Sequence, residues 1–304
     1  MSKGQTLGFI GCGNMGGAVL NGILTSAFPA NQENTSTTKQ PITTFKACTK
    51  TASSAERLKS SIPSHNAHQV EIVSGENVQT MRDSDVIILG CKPFMADDVL
   101  SENGVREALA GKLVISMLAG QSANNLLSII QSSGASTATR SEGESQKLPD
   151  PVIMKAIPNM GAEYGESMTI LEESPNTPAP MIEITEWIFN QVGKIKYLPV
   201  NQTGLATVLV GASIAALTLP IEGLLDGCVA EGLKRGDAME IVLQGIRGLT
   251  ASLEAGTHPA VLRESISSPR GCTIQALLAL ERAGARSHYA DAIVQGNEHL
   301  REKM

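Results

Sequence analysis

Three glycines near the start of the chain have the spacing of loops that bind dinucleotides. The loop Gly11-Cys12-Gly13-Asn14-Met15-Gly16 lies between an apolar run at residues 6–10 and a stretch with helical periodicity at 15–24. The first glycine allows a tight turn, the second lets backbone approach a pyrophosphate, and the third lets helix pack on strand. A helix N-terminus then offers free N–H groups to the phosphates. The pattern predicts dinucleotide contacts from Gly11, Gly13, Asn14, Met15 and Gly16.

The end of the predicted second strand indicates which dinucleotide is favoured. NAD-preferring sites usually place an acidic residue there to hold the ribose 2′-hydroxyl, whereas this chain has Cys48-Thr49-Lys50-Thr51. No carboxylate repels a 2′-phosphate there, and Lys50 with the hydroxyls of Thr49 and Thr51 is able to bind one. The segment favours NADPH, with NADH as the alternative. Lys50 as a solvated surface charge is the competing interpretation.

Two further turns follow predicted strands at the edge where such folds bind ligands. Gly90-Cys91-Lys92-Pro93 follows the fourth strand, and Pro93 fixes the turn so that Lys92 can face the cofactor. Ile157-Pro158-Asn159 ends the sixth strand with an amide able to hold a nicotinamide or a substrate. Each turn alone is equally consistent with a structural role, but together they outline one edge of a cleft.

A polar turn near the C-terminus, Ser268-Pro269-Arg270-Gly271-Cys272-Thr273-Ile274, precedes a predicted helix over residues 273–283. Consecutive N–H groups and hydroxyls at a helix N-terminus bind a carboxylate without a net positive field. Most Ser-Pro turns before a helix are plain caps, so the residues alone leave both interpretations open.

Alternating strands and helices surround the first three turns. Strands are predicted at residues 6–10, 42–48, 70–73, 85–90, 113–117 and 152–156. The alternation predicts an α/β fold whose N-terminal domain, residues 1–200, is a Rossmann doubly wound parallel sheet. Two polar segments, 29–40 and 131–150, are predicted to be a surface loop and a mobile insertion.

From residue 201 onward helical periodicity replaces the strand patterns, so residues 201–304 are predicted to be an all-helical dimerisation domain. Helices are predicted at 205–231, 237–255, 260–266, 273–283 and 286–302. The first is apolar on nearly every face, which a monomeric surface helix is not. Its most apolar part, 204–219, meets Pro220 and Glu222 before the roughly 20 residues that a membrane span needs. We therefore expect burial in a homodimer.

The composition suits a soluble enzyme of 304 residues and disfavours other classes. A net charge of −6 provides no basic field for nucleic acid or anionic lipid, and 3% aromatic residues leave little for base stacking. The five cysteines show no metal-ligand spacing, so no metal site is predicted. The short polar start before the first strand leads us to expect a cytoplasmic protein.

These motifs together resemble pyrroline-5-carboxylate reductases over nearly the whole chain. Lys92-Pro93, Ala119-Gly120 and Pro158-Asn159 follow the glycine loop in the family order. The C-terminal motifs are more specific, because the segment from Glu222 to Gly227 and the turn at 268–274 resemble the family's Glu-Ala-Leu-x-Asp-Gly and Ser-Pro-Gly-Gly-x-Thr-Ile. The resemblance implies cofactor contact by Ala119 and substrate contact by Glu222. It also implies a homodimer that can assemble into larger rings.

The resemblance implies that NADPH, or NADH, gives hydride to the C=N carbon of a small cyclic imino acid, yielding proline. The N–H groups of Gly271, Cys272 and Thr273 would hold the carboxylate. The resemblance also implies catalytic roles for Ser268 and Thr273, whose hydroxyls would donate further hydrogen bonds to the substrate. Thr273, or water beside it, would supply the proton, since no His or carboxylate is clearly placed for this.

Three departures from the family pattern lie on the substrate side. The family's Ser-Gly-Ser-Gly-Pro-Ala-Tyr is replaced by Val-Gly-Ala-Ser-Ile-Ala-Ala at 210–216, Arg270 replaces a glycine, and Met160-Gly161 replaces Thr-Pro. A substituted or six-membered cyclic imino acid therefore stays open as the substrate, as does a non-catalytic dinucleotide-binding paralogue. A β-hydroxyacid dehydrogenase is disfavoured by the Ser-Pro turn and because residues 197–233 contain no lysine for its catalytic role.

Overall fold

The computed structural model describes residues 4–30, 40–133 and 148–302. The chain divides into two compact units: one ends at Val210 and takes in the chain end from Leu300, and the other runs from Gly211 to His299. The loop predicted at 29–40 and the insertion predicted at 131–150 lie mostly outside the described residues. A domain boundary at residue 201 stays a prediction.

The first unit is built on one eight-stranded sheet. Its strands are β1 (Gln5–Ile10), β2 (Ile42–Thr49), β3 (Val70–Ser74), β4 (Val86–Leu89), β5 (Leu113–Ser116), β6 (Val152–Ile157), β7 (Ser167–Glu172) and β8 (Gly193–Leu198). Their order is β3-β2-β1-β4-β5-β6-β7-β8, and every neighbouring pair is parallel except β6 with β7. The first six strands confirm the predicted Rossmann sheet, whose order reverses direction between β1 and β4.

Two strands, β7 and β8, are absent from the prediction, and their residues explain why. β7 carries buried hydroxyls at Ser167 and Thr169, which hide its apolar pattern. β8 is an edge strand in which Lys194 and Lys196 alternate with half-buried residues. The antiparallel pairing arises because the chain reverses through a short 3₁₀ helix, Met160–Tyr164, with no crossover helix between β6 and β7.

Helices cover both faces of the sheet. They are α1 (Asn14–Ala27), α2 (Ala52–Ser61), α3 (Asn77–Asp83), α4 (Ala96–Leu100), α5 (Val105–Leu109), α6 (Ala123–Ser133) and α7 (Ala179–Asn190). One core cluster joins α1 and α7 to the sheet around Leu20 and Phe189, and a second joins α3 to α6 to the opposite face around Ile87 and Leu109. Burial on both faces explains the continuous apolar runs of the central strands.

The 3₁₀ helix also holds α1 in place. A Cβ atom built at Gly22 would lie 2.1 Å from the carbonyl oxygen of Ala162 and 2.9 Å from Val192. The backbones therefore approach each other more closely than any side chain permits. This contact sets where α1 lies on the sheet.

The longest helix, α8 (Val200–Ala230), continues from the first unit into the second. It confirms the helix predicted at 205–231, which includes Pro220, but the expectation that its apolar part is too short to cross a bilayer is wrong. By length and composition alone, its 31 residues are long and apolar enough to cross a bilayer. That is weak evidence for a membrane, since core helices of soluble proteins share these properties. Within one chain only 11% of the most apolar stretch of α8 is buried.

The second unit confirms the predicted all-helical region but has little apolar core of its own. Its further helices are α9 (Arg235–Glu254), α10 (Pro259–Ser265), α11 (Cys272–Arg282) and α12 (Ala285–Glu302). Of its described apolar side chains, Leu225 and Ala238 are buried, whereas Leu219, Ile241 and Val261 are 68%, 63% and 62% exposed. Exposed apolar surface of this extent marks an interaction surface.

Gly22→Ala is expected to lower the free energy of unfolding by about 2 kcal/mol or more, because backbone rather than a flexible side chain opposes the new methyl group. Gly17→Ala is the matched control on the same helix. Its methyl group would lie 3.3 Å from Cδ1 of Leu58, which can move, and the gain in helix propensity of about 1 kcal/mol offsets the contact. Thermal unfolding of both variants, at one protein concentration and without dinucleotide, measures the difference. Equal midpoints would contradict the tight α1 contact.

Candidate functional site

The glycine loop is held between the ends of β2 and β4. The N–H groups of Gly11 and Cys12 both donate to the carbonyl oxygen of Cys48, at 3.0 and 2.8 Å. Gly11 has a φ of +78°, and a Cβ there would lie 2.6 Å from the backbone of Cys91. Only glycine combines that conformation with that approach, so the first glycine of the loop is required by the fold.

The second glycine differs because its surroundings are open. Gly13 precedes α1, and a Cβ there would have its nearest neighbour, the carbonyl oxygen of Gly11, at 3.9 Å. No side chain caps the N-terminus of α1. The first N–H groups of the helix are therefore available to an anion, and the bare backbone at Gly13 lets a phosphate come close. At Gly16, the third glycine, a Cβ would lie 3.4 Å from Sγ of Cys12. The absence of a side chain there lets the helix pack onto the loop.

The loop thiol adds no negative charge. Burial raises the pKa of the Cys12 thiol far above its ordinary value, and the neighbouring Cys48 raises it further. Cys12 therefore stays neutral at physiological pH. A neutral thiol leaves the partial positive charge of the α1 N-terminus undiminished for an anionic ligand.

The other predicted cofactor residues of the first unit follow the carboxyl ends of β4, β5 and β6. Lys92, before Pro93, is exposed and its Nζ lies 5.9 Å from the ring centroid of Phe94, itself 76% exposed. Ala119 is half-buried in the loop after β5. The side-chain oxygen of Asn159 accepts the N–H of Gly161 at 3.0 Å. This bond engages the Asn159 oxygen, so the predicted contact with a ligand would be made by its amide nitrogen.

The structure corrects the role predicted for the Thr49 hydroxyl. Thr49 is 3% exposed, and its hydroxyl donates to the carbonyl oxygens of Thr51 and Val73, at 3.0 and 3.4 Å. Because a phosphate oxygen only accepts hydrogen bonds, it gains nothing from a hydroxyl proton already in use. Lys50 is exposed, as predicted for either of its interpretations.

A cleft of about 270 Å³ opens beside the glycine loop and contains two groups that the sequence analysis missed. Arg57 and Asn21 line it together with Gly13 and Asn14. A signal existed for Arg57, since it follows Ser54 by three residues and therefore lies on the same face of a helix. Asn21 offered none, because its position within α1 reads as part of an apolar helix.

The Ser-Pro turn of the second unit is a tight β-turn before α11. The N–H of Gly271 donates to the carbonyl oxygen of Ser268 at 3.0 Å, and Arg270 has a φ of +62°. A type II turn requires a positive φ at this position, where glycine is favoured. Among the described residues Arg270 is the one non-glycine with a positive φ. The turn therefore has a backbone conformation that glycine favours at the position where this chain has Arg270.

The same turn assembles the predicted substrate-binding groups. A Cβ at Gly271 would lie 2.4 Å from Oγ of Ser268, so the serine hydroxyl lies directly against the turn. No side chain caps α11, and Cys272 and Thr273 begin it. Such a site is able to hold a carboxylate on backbone N–H groups and nearby hydroxyls. Glu222 is exposed on α8 in the same unit. Among the described residues no cluster of three or more His, Cys, Asp or Glu is suited to a metal ion.

Two family profiles match the chain. The profile described as pyrroline-5-carboxylate reductase dimerisation matches residues 201–303. The profile described as NADP oxidoreductase coenzyme F420-dependent matches residues 6–120. The two matches fall on the helical region and on the glycine loop with the strands that follow it.

Similar proteins extend over nearly the whole chain. A pyrroline-5-carboxylate reductase of Lophium arboricola is 35% identical over 95% of this chain and 90% of the relative. That of Schizosaccharomyces pombe is 33% identical over 95% of each. The crystal structure of Plasmodium falciparum pyrroline carboxylate reductase with NADP bound is 25% identical, has a TM-score of 0.75 and is covered over 98% of both chains.

Substitutions of the first two loop glycines are expected to separate folding from binding. Gly11→Ala should lower the free energy of unfolding by more than about 2 kcal/mol, from the positive φ and the contact with Cys91. Gly13→Ala should change it by less than about 1 kcal/mol but weaken dinucleotide binding about tenfold or more, because the methyl group occupies the phosphate position. Denaturant unfolding and calorimetric titration with NADPH measure the two effects. Unchanged affinity in Gly13→Ala would refute the phosphate position.

Proposed function

The chain belongs to the pyrroline-5-carboxylate reductase family, and from this premise we propose that it reduces the C=N bond of 1-pyrroline-5-carboxylate to L-proline with NADPH. The observation that carries the proposal is the uncapped N-terminus of α11 behind the Ser268–Pro269 turn, on a chain that also has the open glycine loop. One feature suits a small carboxylate and the other a dinucleotide. The reaction needs both.

The residues of the first unit fit NADPH. The free N–H groups of α1 and the open space at Gly13 accommodate a pyrophosphate. Lys92, Pro93, Ala119 and Asn159 follow the strand ends at the same edge of the sheet, where we assign them to the nicotinamide half. When bound, NADPH supplies the hydride.

The residues of the second unit bind and orient the imine. The N–H groups of Gly271, Cys272 and Thr273 hold the carboxylate, and the hydroxyl of Ser268 is a further donor. A protonated imine is already an electrophile, so the protein needs no nucleophile and acts mainly by orientation. Thr273, or water beside it, holds the proton at the ring nitrogen. We assign Glu222 to the substrate as well.

A homodimer is part of the proposal. The profile match names dimerisation for residues 201–303, and α8 with α9 exposes apolar side chains that one chain leaves uncovered, among them Leu219 and Ile241. A second copy covers such a surface by the hydrophobic effect. Glu222 and Asp226 on α8 favour protein over lipid as the covering medium. On this account the protein is soluble, and its cytoplasmic location stays a prediction.

A second candidate substrate is favoured by one observation. Arg270 replaces glycine at the carboxylate-binding turn and keeps a positive φ, which places a guanidinium where the family motif has no side chain. Together with the altered segment at 210–216, this change is compatible with a substituted or six-membered cyclic imino acid.

Oxidation of NADPH with three imines tests the proposal. We expect the highest kcat/KM with 1-pyrroline-5-carboxylate, and lower values with a methylated pyrroline carboxylate and with piperideine carboxylate. A higher kcat/KM for either analogue would show that the analogue is the better substrate, while the proposed reaction, reduction of a C=N bond, would stand. No turnover with any of the three, while NADPH still binds, would contradict the reductase proposal altogether.

Thr273→Ala is expected to lower kcat about ten- to a hundredfold, because the hydrogen bond that holds the proton at the ring nitrogen is lost, while NADPH affinity changes less than about twofold. Thr250→Ala is the control. This threonine also lies in the second unit and is exposed, whereas Thr273 is half-buried, and the Thr250 hydroxyl donates to the carbonyl of Ile246 within α9. Steady-state kinetics and NADPH titration are compared. Equal losses of kcat and of NADPH affinity would count against the substrate role of Thr273.

A further inference from the structure

We propose that Arg57 recognises the 2′-phosphate of NADPH and that it, rather than Lys50, selects NADPH over NADH. The inference rests on the proposed function for the identity of the dinucleotide. It assigns the specificity to a residue eight positions beyond the end of β2, in the cleft that begins at the glycine loop.

The cleft is continuous with the predicted phosphate position. Gly13 and Asn14 line it at the start of α1, Ser54 and Arg57 line it from α2, and Glu163 lines it from the 3₁₀ helix. Lys50 is not among the lining residues. A ligand whose phosphates lie over Gly13 therefore reaches Arg57 without leaving the cleft.

The α2 wall of the cleft is suited to an anion. The Arg57 Nη2 donates to the Oγ of Ser54 at 3.0 Å, and Thr51 Oγ1 donates to the same oxygen at 3.0 Å. Because Ser54 accepts twice, its own hydroxyl proton remains for a ligand. The first turn of α2 contains no acidic residue, and the guanidinium keeps further N–H donors in a fixed geometry that fits phosphate.

Asn21 provides an independent sign that the cleft holds a polar ligand. This side chain is 8% exposed, lines the cleft, and has an oxygen atom with no hydrogen-bond partner among the described residues. Its amide nitrogen donates to the Oγ of Ser61 at 3.2 Å, and that hydroxyl in turn donates to the carbonyl of Leu58 at 2.8 Å. The Ser61 proton is therefore in use, so the Asn21 oxygen cannot take its place. This oxygen is shielded from solvent, so a ligand donor reaches it only when the amide turns toward the cleft. Because a buried acceptor without a partner is costly, such a contact would be favourable.

The two observations define the chemistry of the ligand. It must present an anionic group to Arg57 and Ser54 and a hydrogen-bond donor to the oxygen of Asn21. A ribose with a 2′-phosphate and a free 3′-hydroxyl carries both groups on adjacent carbons. Glu163 is an exposed carboxylate that also lines the cleft, from the 3₁₀ helix, and its repulsion favours a phosphate position at Arg57.

Two adenosine nucleotides test the inference without the imine reaction. Full-length protein is titrated calorimetrically with adenosine 2′,5′-bisphosphate and with adenosine 5′-monophosphate, which differ in the 2′-phosphate alone. Arg57→Gln is expected to weaken binding of the bisphosphate about ten- to a hundredfold, as for loss of a charge-assisted pair. Binding of the monophosphate should stay unchanged.

Two controls carry the same change of charge. Lys59→Gln removes a cation from an exposed position on the same helix that does not line the cleft, and Lys50→Gln removes the cation that the sequence favours. Both should leave the ratio of the two affinities unchanged. A larger effect of Lys50→Gln than of Arg57→Gln, or an equal effect of Arg57→Gln on both nucleotides, would overturn the assignment.

Asn21→Ala separates the second contact from the first. Both nucleotides carry the 3′-hydroxyl, so this variant should weaken both about fivefold, while the preference for the bisphosphate persists. Loss of that preference, or no effect on either nucleotide, would contradict the role given to Asn21. The proposed function is tested separately. If Arg57→Gln loses the preference for the 2′-phosphate but the wild-type protein reduces none of the imines, the role of Arg57 is supported and the reductase proposal is contradicted. If the imines are reduced but Arg57→Gln keeps the nucleotide preference, the reductase proposal is supported and the role of Arg57 is contradicted.

Discussion

The contact of the Gly11 backbone with that of Cys91 is the constraint on which the first unit depends. It brings the turn after β1 against the turn after β4, at the point where the strand order changes direction. The carbonyl of Cys48 then receives two loop N–H groups, so the end of β2 is held at the same point. At Gly22, two turns further along α1, a second close approach holds the helix against the 3₁₀ helix. With both contacts in place, packing fixes the direction of the α1 N-terminus, at which the phosphate is predicted to bind.

Some of this arrangement could be predicted from sequence because the responsible patterns are local. The glycine spacing, the first six strands and the five C-terminal helices depend on periodicity and turn chemistry within short windows. β7 could not be read in this way, because its Ser167 hydroxyl is buried and accepts the N–H of Asn159, which only the folded chain brings near. β8 could not be read because it is an edge strand with exposed lysines and no buried face of its own. The hydroxyl of Thr49 failed as a candidate for the same reason as β7, since the carbonyl of Val73 comes from a neighbouring strand. Arg57 was missed because it lies within α2, whereas the known sequence pattern for binding the adenine ribose concerns the end of β2.

The two units differ in the origin of their stability. The first has a layered core on each face of its sheet and satisfies most of its buried polar atoms within one chain. The second leaves most of its large apolar side chains accessible, so the free energy that orders its helices must come from association. The departures at 210–216 therefore fall on a helix whose large apolar side chains are mostly exposed in one chain, so a substitution there changes the surface available for association. Small side chains such as Ala212 and Ala216 are compatible with close helix contact there.

Arg270 carries a conformational cost that the glycine of the family motif does not. A left-handed backbone conformation costs a non-glycine residue about 1–2 kcal/mol, and the turn has kept that conformation after losing its glycine. Selection for stability alone would favour a return to glycine or asparagine at this position. The arginine side chain is therefore present at a cost in stability of that size, which the remaining contacts of the fold must offset.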